Sequence, residues 1–171
     1  MKVLGYHEIK ADPKFLPLVY SYRDKIVNEI QEYCDDFSEL VDKYLIPKAN
    51  TKEREVEYLK MKGNCYRCLS QVTEGNKKKI ATEKADEAYR RAAYNAEQLP
   101  AGNCTKLKLV LEYSVFCYTN LHDTIKGYKM AKDAYDSALE FIMELDEEQY
   151  KESSFTMTLL RDNLNLWNSE L

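Results

Sequence analysis

The 171-residue chain predicts an all-α protein, an array of antiparallel helices with a concave groove along one side. Three observations lead there. Apolar residues recur three and four apart along most of the chain, and no alternating run is convincing as a strand. Only five Gly and four Pro interrupt that pattern. The interruptions fall between the periodic segments, so the connections are short, and short connections between long amphipathic helices make neighbours antiparallel.

The elements follow in order. Asp12-Pro13 offers an N-cap followed by proline at the first helical position, and a helix runs from there or from Pro17 to near Ile46, where Pro47 stops it. Asn50 with Glu53 resembles a capping box opening a second helix, and Gly75-Asn76 ends it. A third helix runs from Lys77 to about Gln98. The break LPAGN, Leu99 to Asn103, separates it from a fourth whose apolar stripe is Leu107, Val110, Leu111, Ser114, Tyr118 and Leu121. Asp123 caps a fifth helix reaching about Met143, and Asp146 with Gln149 caps the last. Stacked helix pairs of this kind form curved, TPR-like superhelical scaffolds with a concave face. The fourteen tyrosines are expected to pack through their rings while their hydroxyls reach water.

Bulk properties bound the function. The length suits one domain over residues 1–171 that buries roughly 68–70% of its unfolded surface. A mean hydropathy of -0.60 and 32% charged residues fit a soluble helical protein with charged outer faces. No apolar run approaches the roughly 20 residues that span a bilayer, and MKVLGYHEIK has no signal-like apolar core, so the cytoplasm is the expected compartment and no membrane partner is expected. A net charge of -4 and a pI near 5.4 argue against general nucleic-acid binding, which needs clustered cations. The five cysteines (Cys34, Cys65, Cys68, Cys104, Cys117) are odd in number and read as free thiols. Cys65 and Cys68 form a C-x-x-C, but no second pair or His cluster completes a zinc site. His7 and His122 are isolated, and no nucleophile, base or metal set is visible. The expectation is a binding module, not an enzyme, with no catalytic residues, no cofactor and no metal.

Two segments carry the binding surface. In YLKMKGNCYRCL, Tyr58 to Leu69, the residues Lys60, Asn64 and Arg67 are three and four apart, so a helix projects two cations and an amide from one face. That face suits an acidic partner. In LLRDNLNLWNSEL, Leu159 to Leu171, Asn163 and Trp167 share a face bordered by Leu159 and Leu166, an apolar wall with an amide that suits an extended peptide. Packing alone would also account for these leucines, and a solvated helix face for Lys60 and Arg67. With YLIPKA at Tyr44 to Ala49 and EYSVFCY at Glu112 to Tyr118, the two segments resemble the 14-3-3 proteins, whose fifth helix carries YLKMKGDYYRYL and whose last helix carries LLRDNLTLWTS. The likeness runs from about Met1 to the C-terminus, and the start aligns inside that family's third helix.

The resemblance implies a 14-3-3-like adaptor that binds phosphoserine- or phosphothreonine-containing segments of client proteins. In that family a Lys and an Arg on the third helix and an Arg-Tyr pair on the fifth hold the phosphate. The chain starts, by alignment, beyond the two third-helix cations. Arg67 matches the fifth-helix Arg, but Cys68 stands where the Tyr would be, and a thiol is a weak donor. The family's LALNFSVFYYE is LVLEYSVFCYT here: the Asn that clasps the peptide backbone becomes Glu112, the following Glu becomes Thr119, and an upstream Gly becomes Lys108. Two readings stand for Glu112. It faces the groove, where it repels phosphate or neutralises Arg67 from within, or it pairs with Lys108 on an exposed face. Asn163 and Trp167 match the family's Asn and Trp, and Leu111, Leu159 and Leu166 its apolar wall. The phosphopeptide-binding set is thus Lys60, Arg67, Leu111, Leu159, Asn163, Leu166 and Trp167, with a degraded phosphate pocket. The alternative is a degenerate paralogue that has lost phosphate recognition and acts through assembly or unphosphorylated partners. Tyr22, Lys25 and Glu29 match dimer-interface positions on the family's fourth helix, so a homodimer, altered by the lack of the first two helices, is expected.

Overall fold

A computed structural model of the chain describes residues 13–169. Six α-helices make up nearly all of it: α1 (Leu16–Leu40), α2 (Lys52–Val72), α3 (Gly75–Ala96), α4 (Cys104–Thr119), α5 (Thr124–Phe141) and α6 (Glu147–Asn168). No strand occurs among the described residues, and the all-α class is the one expected. Among those residues no helix is long and apolar enough to cross a membrane.

The ends of the helices follow local chemistry. A 3-10 turn, Pro13–Phe15, leads into α1, and Pro17 sits in its first turn, where a missing N–H is harmless. The expected Asp12 cap lies outside the described residues. At its far end α1 widens into a π-helical turn, Val41–Leu45, in which the Ile46 N–H donates to the Val41 carbonyl at 2.9 Å. The chain leaves the helix at Pro47, which cannot donate and disfavours helical geometry before it. For α2 the cap is Thr51, whose hydroxyl accepts from the Arg54 N–H at 3.3 Å, one residue after the expected Asn50. Glu53 accepts instead from the Asn103 amide. Gly75 also differs from expectation. α2 ends at Val72, where the Thr73 hydroxyl donates to the Leu69 carbonyl at 2.8 Å, and Gly75 opens α3 at φ +56°. Its left-handed conformation, strained for any other residue type, turns the chain into the new helix. Asn103, Asp123 and Asp146 cap α4, α5 and α6, accepting from the N–H groups of Lys106, Lys126 and Gln149 at 3.1, 3.1 and 2.8 Å.

Helix α4 is the hub. It packs on α2, α3, α5 and α6, whereas α2 and α6 do not pack on each other. One apolar cluster gathers Cys34, Val56, Leu59, Leu69, Tyr89, Tyr113 and Phe116 from α1 to α4, and a second gathers Leu107, Ala131, Met157, Leu160 and Trp167 from α4 to α6. The single stripe expected on α4 is therefore too narrow. Leu107 and Ser114 from it are buried, but so are Leu109, Tyr113, Phe116 and Cys117 beyond it, because α4 feeds both clusters. Close approach at two crossings depends on glycine. A Cβ on Gly63 would lie 2.8 Å from the Tyr89 ring, and one on Gly127 would lie 2.7 Å from the Ser114 carbonyl oxygen.

Three of the tyrosines also depart from expectation. Tyr66, Tyr89 and Tyr113 are buried, and their hydroxyls donate to protein acceptors: Asp35 at 2.9 Å, Asn64 at 2.5 Å and Asp86 at 2.9 Å. A buried hydroxyl needs an acceptor, and an aspartate or asparagine on the preceding helix supplies it in each case. Tyr89 also stacks on Tyr113 with ring centroids 5.2 Å apart.

Candidate functional site

The site begins with α2, whose periodicity sets Lys60, Asn64 and Arg67 on one face. Lys60 is buried, at 6% exposure, and its ammonium lies 3.1 Å from Glu57 on the preceding turn and 3.6 Å from Glu112 on α4. The Asn64 amide nitrogen donates to the other Glu112 oxygen, and the Asn64 amide oxygen accepts from Tyr89 on α3. A chain of contacts thus runs Tyr89, Asn64, Glu112, Lys60 across three helices. Burial is the largest influence on the Tyr89 phenol and holds it well above the usual range; Arg67 opposes this and Glu112 reinforces it. The hydroxyl therefore stays protonated and orients the Asn64 amide toward Glu112.

Neither expected partner of Glu112 is the one it takes. Lys108 turns to Glu152 on α6 at 3.6 Å and pairs with the Cys104 thiol. Arg67 is not the group at the carboxylate either; Lys60 and Asn64 are. The physical reason is burial. The buried Lys60 ammonium is little screened by water, whereas the half-exposed Lys108 is screened and already paired with Glu152. At 3.6 Å and an effective dielectric near 20, the attraction is about 4–5 kcal/mol before desolvation is subtracted. The Arg67 Nε is buried with no hydrogen-bond acceptor, an open donor within the cluster. An orphaned buried N–H costs about 1–3 kcal/mol, which an incoming acceptor would relieve.

On α6 the predicted residues divide. Trp167 is buried and stacks on Tyr118 of α4, centroids 4.5 Å apart and planes within 9°, so its ring is part of the core. Asn163 is half-buried, while Leu159 and Leu166 are exposed, Leu166 to 55%. Leu111 on α4 is half-buried beside the second cluster. The two helices bearing the predicted set are held apart by α4, with Lys60 and Arg67 on α2 and Asn163 and Trp167 on α6. Cys68 is exposed, and the Thr119 hydroxyl donates to the Val115 carbonyl at 2.8 Å. Tyr22, Lys25 and Glu29 are all exposed on α1.

Sequence reasoning missed Glu57 and Tyr89. The three-residue spacing of Glu57 and Lys60 on one helix was an available signal for the first. Nothing local marks Tyr89, because its role depends on α3 crossing α2 at Gly63. The five cysteines are free thiols as expected, but Cys65 lies against Cys34 on α1 and not against Cys68. Among the described residues no group of three or more His, Cys, Asp or Glu is arranged to hold a metal ion.

Comparison with known proteins gives one family. The model of the 14-3-3 protein family matches residues 5–168. The 14-3-3 protein beta/alpha of Homo sapiens is 43% identical over 150 residues, covering 87% of this chain and 61% of the relative, and that of Bos taurus matches to the same extent. The 14-3-3 protein beta/alpha of Xenopus tropicalis is 42% identical over 162 residues, 94% of this chain and 66% of the relative. The chain spans 61% of the length of the first relatives it matches.

Proposed function

We propose, for a chain that belongs to the 14-3-3 family, an adaptor function: a single-domain, non-enzymatic binding module that takes extended phosphoserine- or phosphothreonine-containing segments of client proteins between α2 and α6. The observation that carries this reading is the buried Arg67 Nε without an acceptor, a cationic donor one turn from Asn64 and two from Lys60. Asn163 supplies an amide for the client backbone, and the exposed Leu159 and Leu166 supply apolar surface on α6. Leu111 and the Tyr118-stacked Trp167 form the wall behind them. The phosphate pocket is degraded relative to the family pattern, with Cys68 in place of a phenol and Glu112 in place of an amide. Charge-assisted hydrogen bonds contribute roughly 1.5–3 kcal/mol each, so every lost donor lowers affinity by about one to two decades. The adaptor works in the cytoplasm, as a homodimer with Tyr22, Lys25 and Glu29 at its interface.

Calorimetry with a phosphoserine peptide and its unphosphorylated twin tests this. The phosphorylated form binds more tightly, and Arg67→Glu abolishes the difference. Equal affinity for the two forms removes the phosphate from the proposal.

A second reading is favoured by the Glu112 contact: a degenerate paralogue in which an internal carboxylate occupies Lys60 and Asn64, and unphosphorylated segments are bound instead. Under this reading Cys68→Tyr combined with Glu112→Asn creates phosphopeptide binding that the parent chain lacks. A folded double variant that gains nothing counts against it.

A further inference from the structure

We propose that Cys34 on α1 and Cys65 on α2 are a thiol modification site, converted by a two-electron oxidant of the peroxide class into a disulfide that ties the first two helices together. The inference does not depend on what α2 and α6 bind. The two sulfurs are 2.7 Å apart, with the Cys65 thiol donating to the Cys34 sulfur, while the Cys34 thiol donates to the Cys65 carbonyl at 3.4 Å. Closing the bond asks for a shift of less than an ångström. Cysteines 31 positions apart thus meet where α1 packs on α2. The contact was not visible in the C-x-x-C spacing, which draws attention to Cys68 instead.

Exposure assigns the order of events. Cys34 is buried, Cys65 is half-buried and Cys68 is exposed one turn further along α2. The oxidant therefore meets Cys65 before Cys34. The Cys65 thiolate attacks one peroxide oxygen, breaking the O–O bond, giving a sulfenic acid and releasing water once the leaving hydroxide takes a proton. The Cys34 sulfur then attacks the Cys65 sulfur, its proton leaves with the displaced hydroxide as a second water, and the S–S bond forms. Two thiols are oxidised and one peroxide is reduced. Burial raises both thiols above their ordinary range, most strongly at Cys34, so the thiolate fraction is small and the pair responds to sustained oxidant rather than turning over as a redox enzyme. Cys65 lies between Asn64 and Arg67 in sequence but meets α1, so the crosslink would pin α2 from behind the face that carries Lys60 and Arg67.

The test uses the full chain treated with hydrogen peroxide, blocked with iodoacetamide and digested for mass spectrometry. The expected result is a Cys34–Cys65 linked peptide lighter by two hydrogens, with a melting temperature raised by about 10 °C, as a loop of this length implies, and restored by dithiothreitol. Cys68→Ser retains the link and Cys34→Ser loses it. A Cys65–Cys68 link in its place, or Cys34 recovered as the free thiol while Cys68 is oxidised, overturns the proposal. Both readings come from the parent chain and the surface variant, so they stand even if Cys34→Ser folds poorly.

Discussion

Glu112 on α4 holds its carboxylate 3.6 Å from the buried ammonium of Lys60 on α2, and its second oxygen accepts from the Asn64 amide beside it. An anion built into the chain thus sits on a cation and a donor of the proposed ligand face. A phosphate approaching Arg67 meets this carboxylate as a like charge. Glu112→Gln keeps the side-chain length and removes the charge. Its expected effect is a gain of roughly 10–100-fold in phosphoserine-peptide affinity, equivalent to about 1.4–2.7 kcal/mol of repulsion removed. Titration calorimetry reads it directly, and an unchanged dissociation constant would clear Glu112 of any role against anions.

Exposed Leu166 and buried Trp167, neighbours on α6, separate binding from stability. Leu166→Ala, at a site 55% exposed, is expected to alter unfolding free energy by less than about 0.5 kcal/mol while weakening peptide binding several-fold. Trp167→Ala removes the ring stacked on Tyr118 and is expected to destabilise the fold by about 3–5 kcal/mol. Urea denaturation beside calorimetry distinguishes the two. If Leu166→Ala leaves affinity untouched, the apolar wall is not a contact surface.

Glycine substitutions probe the two tight crossings. In Gly127→Ala the new methyl meets the Ser114 carbonyl oxygen at 2.7 Å, and backbone cannot turn aside. In Gly63→Ala it meets the Tyr89 ring at 2.8 Å, which can move only by disturbing the bond from Tyr89 to Asn64. Each is expected to lose about 1–3 kcal/mol, with Gly127→Ala the worse. Thermal melting of the two variants gives the order, and a reversed order would mean that the α4–α5 crossing is the more compliant.

Acid stability should report Asp35. Burial opposes ionisation there, but hydrogen bonds from Lys84, Gln31 and Tyr66 win and hold its carboxyl below the usual value. A depressed carboxylate contributes stability that is present above its unfolded pKa, near 3.9, and is lost as pH falls through the lower folded value. Both partners are largely exposed, so solvent screening keeps the effect within about 1 kcal/mol. Asp35→Asn is expected to flatten the stability curve below about pH 4 relative to the parent. Equal acid limbs for parent and variant would show that the network does not outlive its exposure to water.

How much of this was legible in the chain depends on the range of the interaction. Helix number, the Asp123 and Asp146 caps and the free state of the thiols were readable, because 3.6-residue periodicity and cap chemistry act within one or two turns. So were the Lys60, Asn64 and Arg67 face and the family likeness. The misplaced boundaries were local too: Thr51 displaced Asn50, and Gly75 opened a helix instead of closing one, since neighbouring residues of similar propensity compete and contacts decide between them. Only the assembled fold decided that Glu112 takes Lys60 and not Lys108, that Tyr89 orients Asn64, and that Cys65 meets Cys34. Each of these joins residues more than twenty positions apart through helix crossings that no local spacing encodes. The sequence by itself determined which groups each helix presents. The tertiary structure decided which groups neutralise one another, because that depends on burial and on which helix lies alongside.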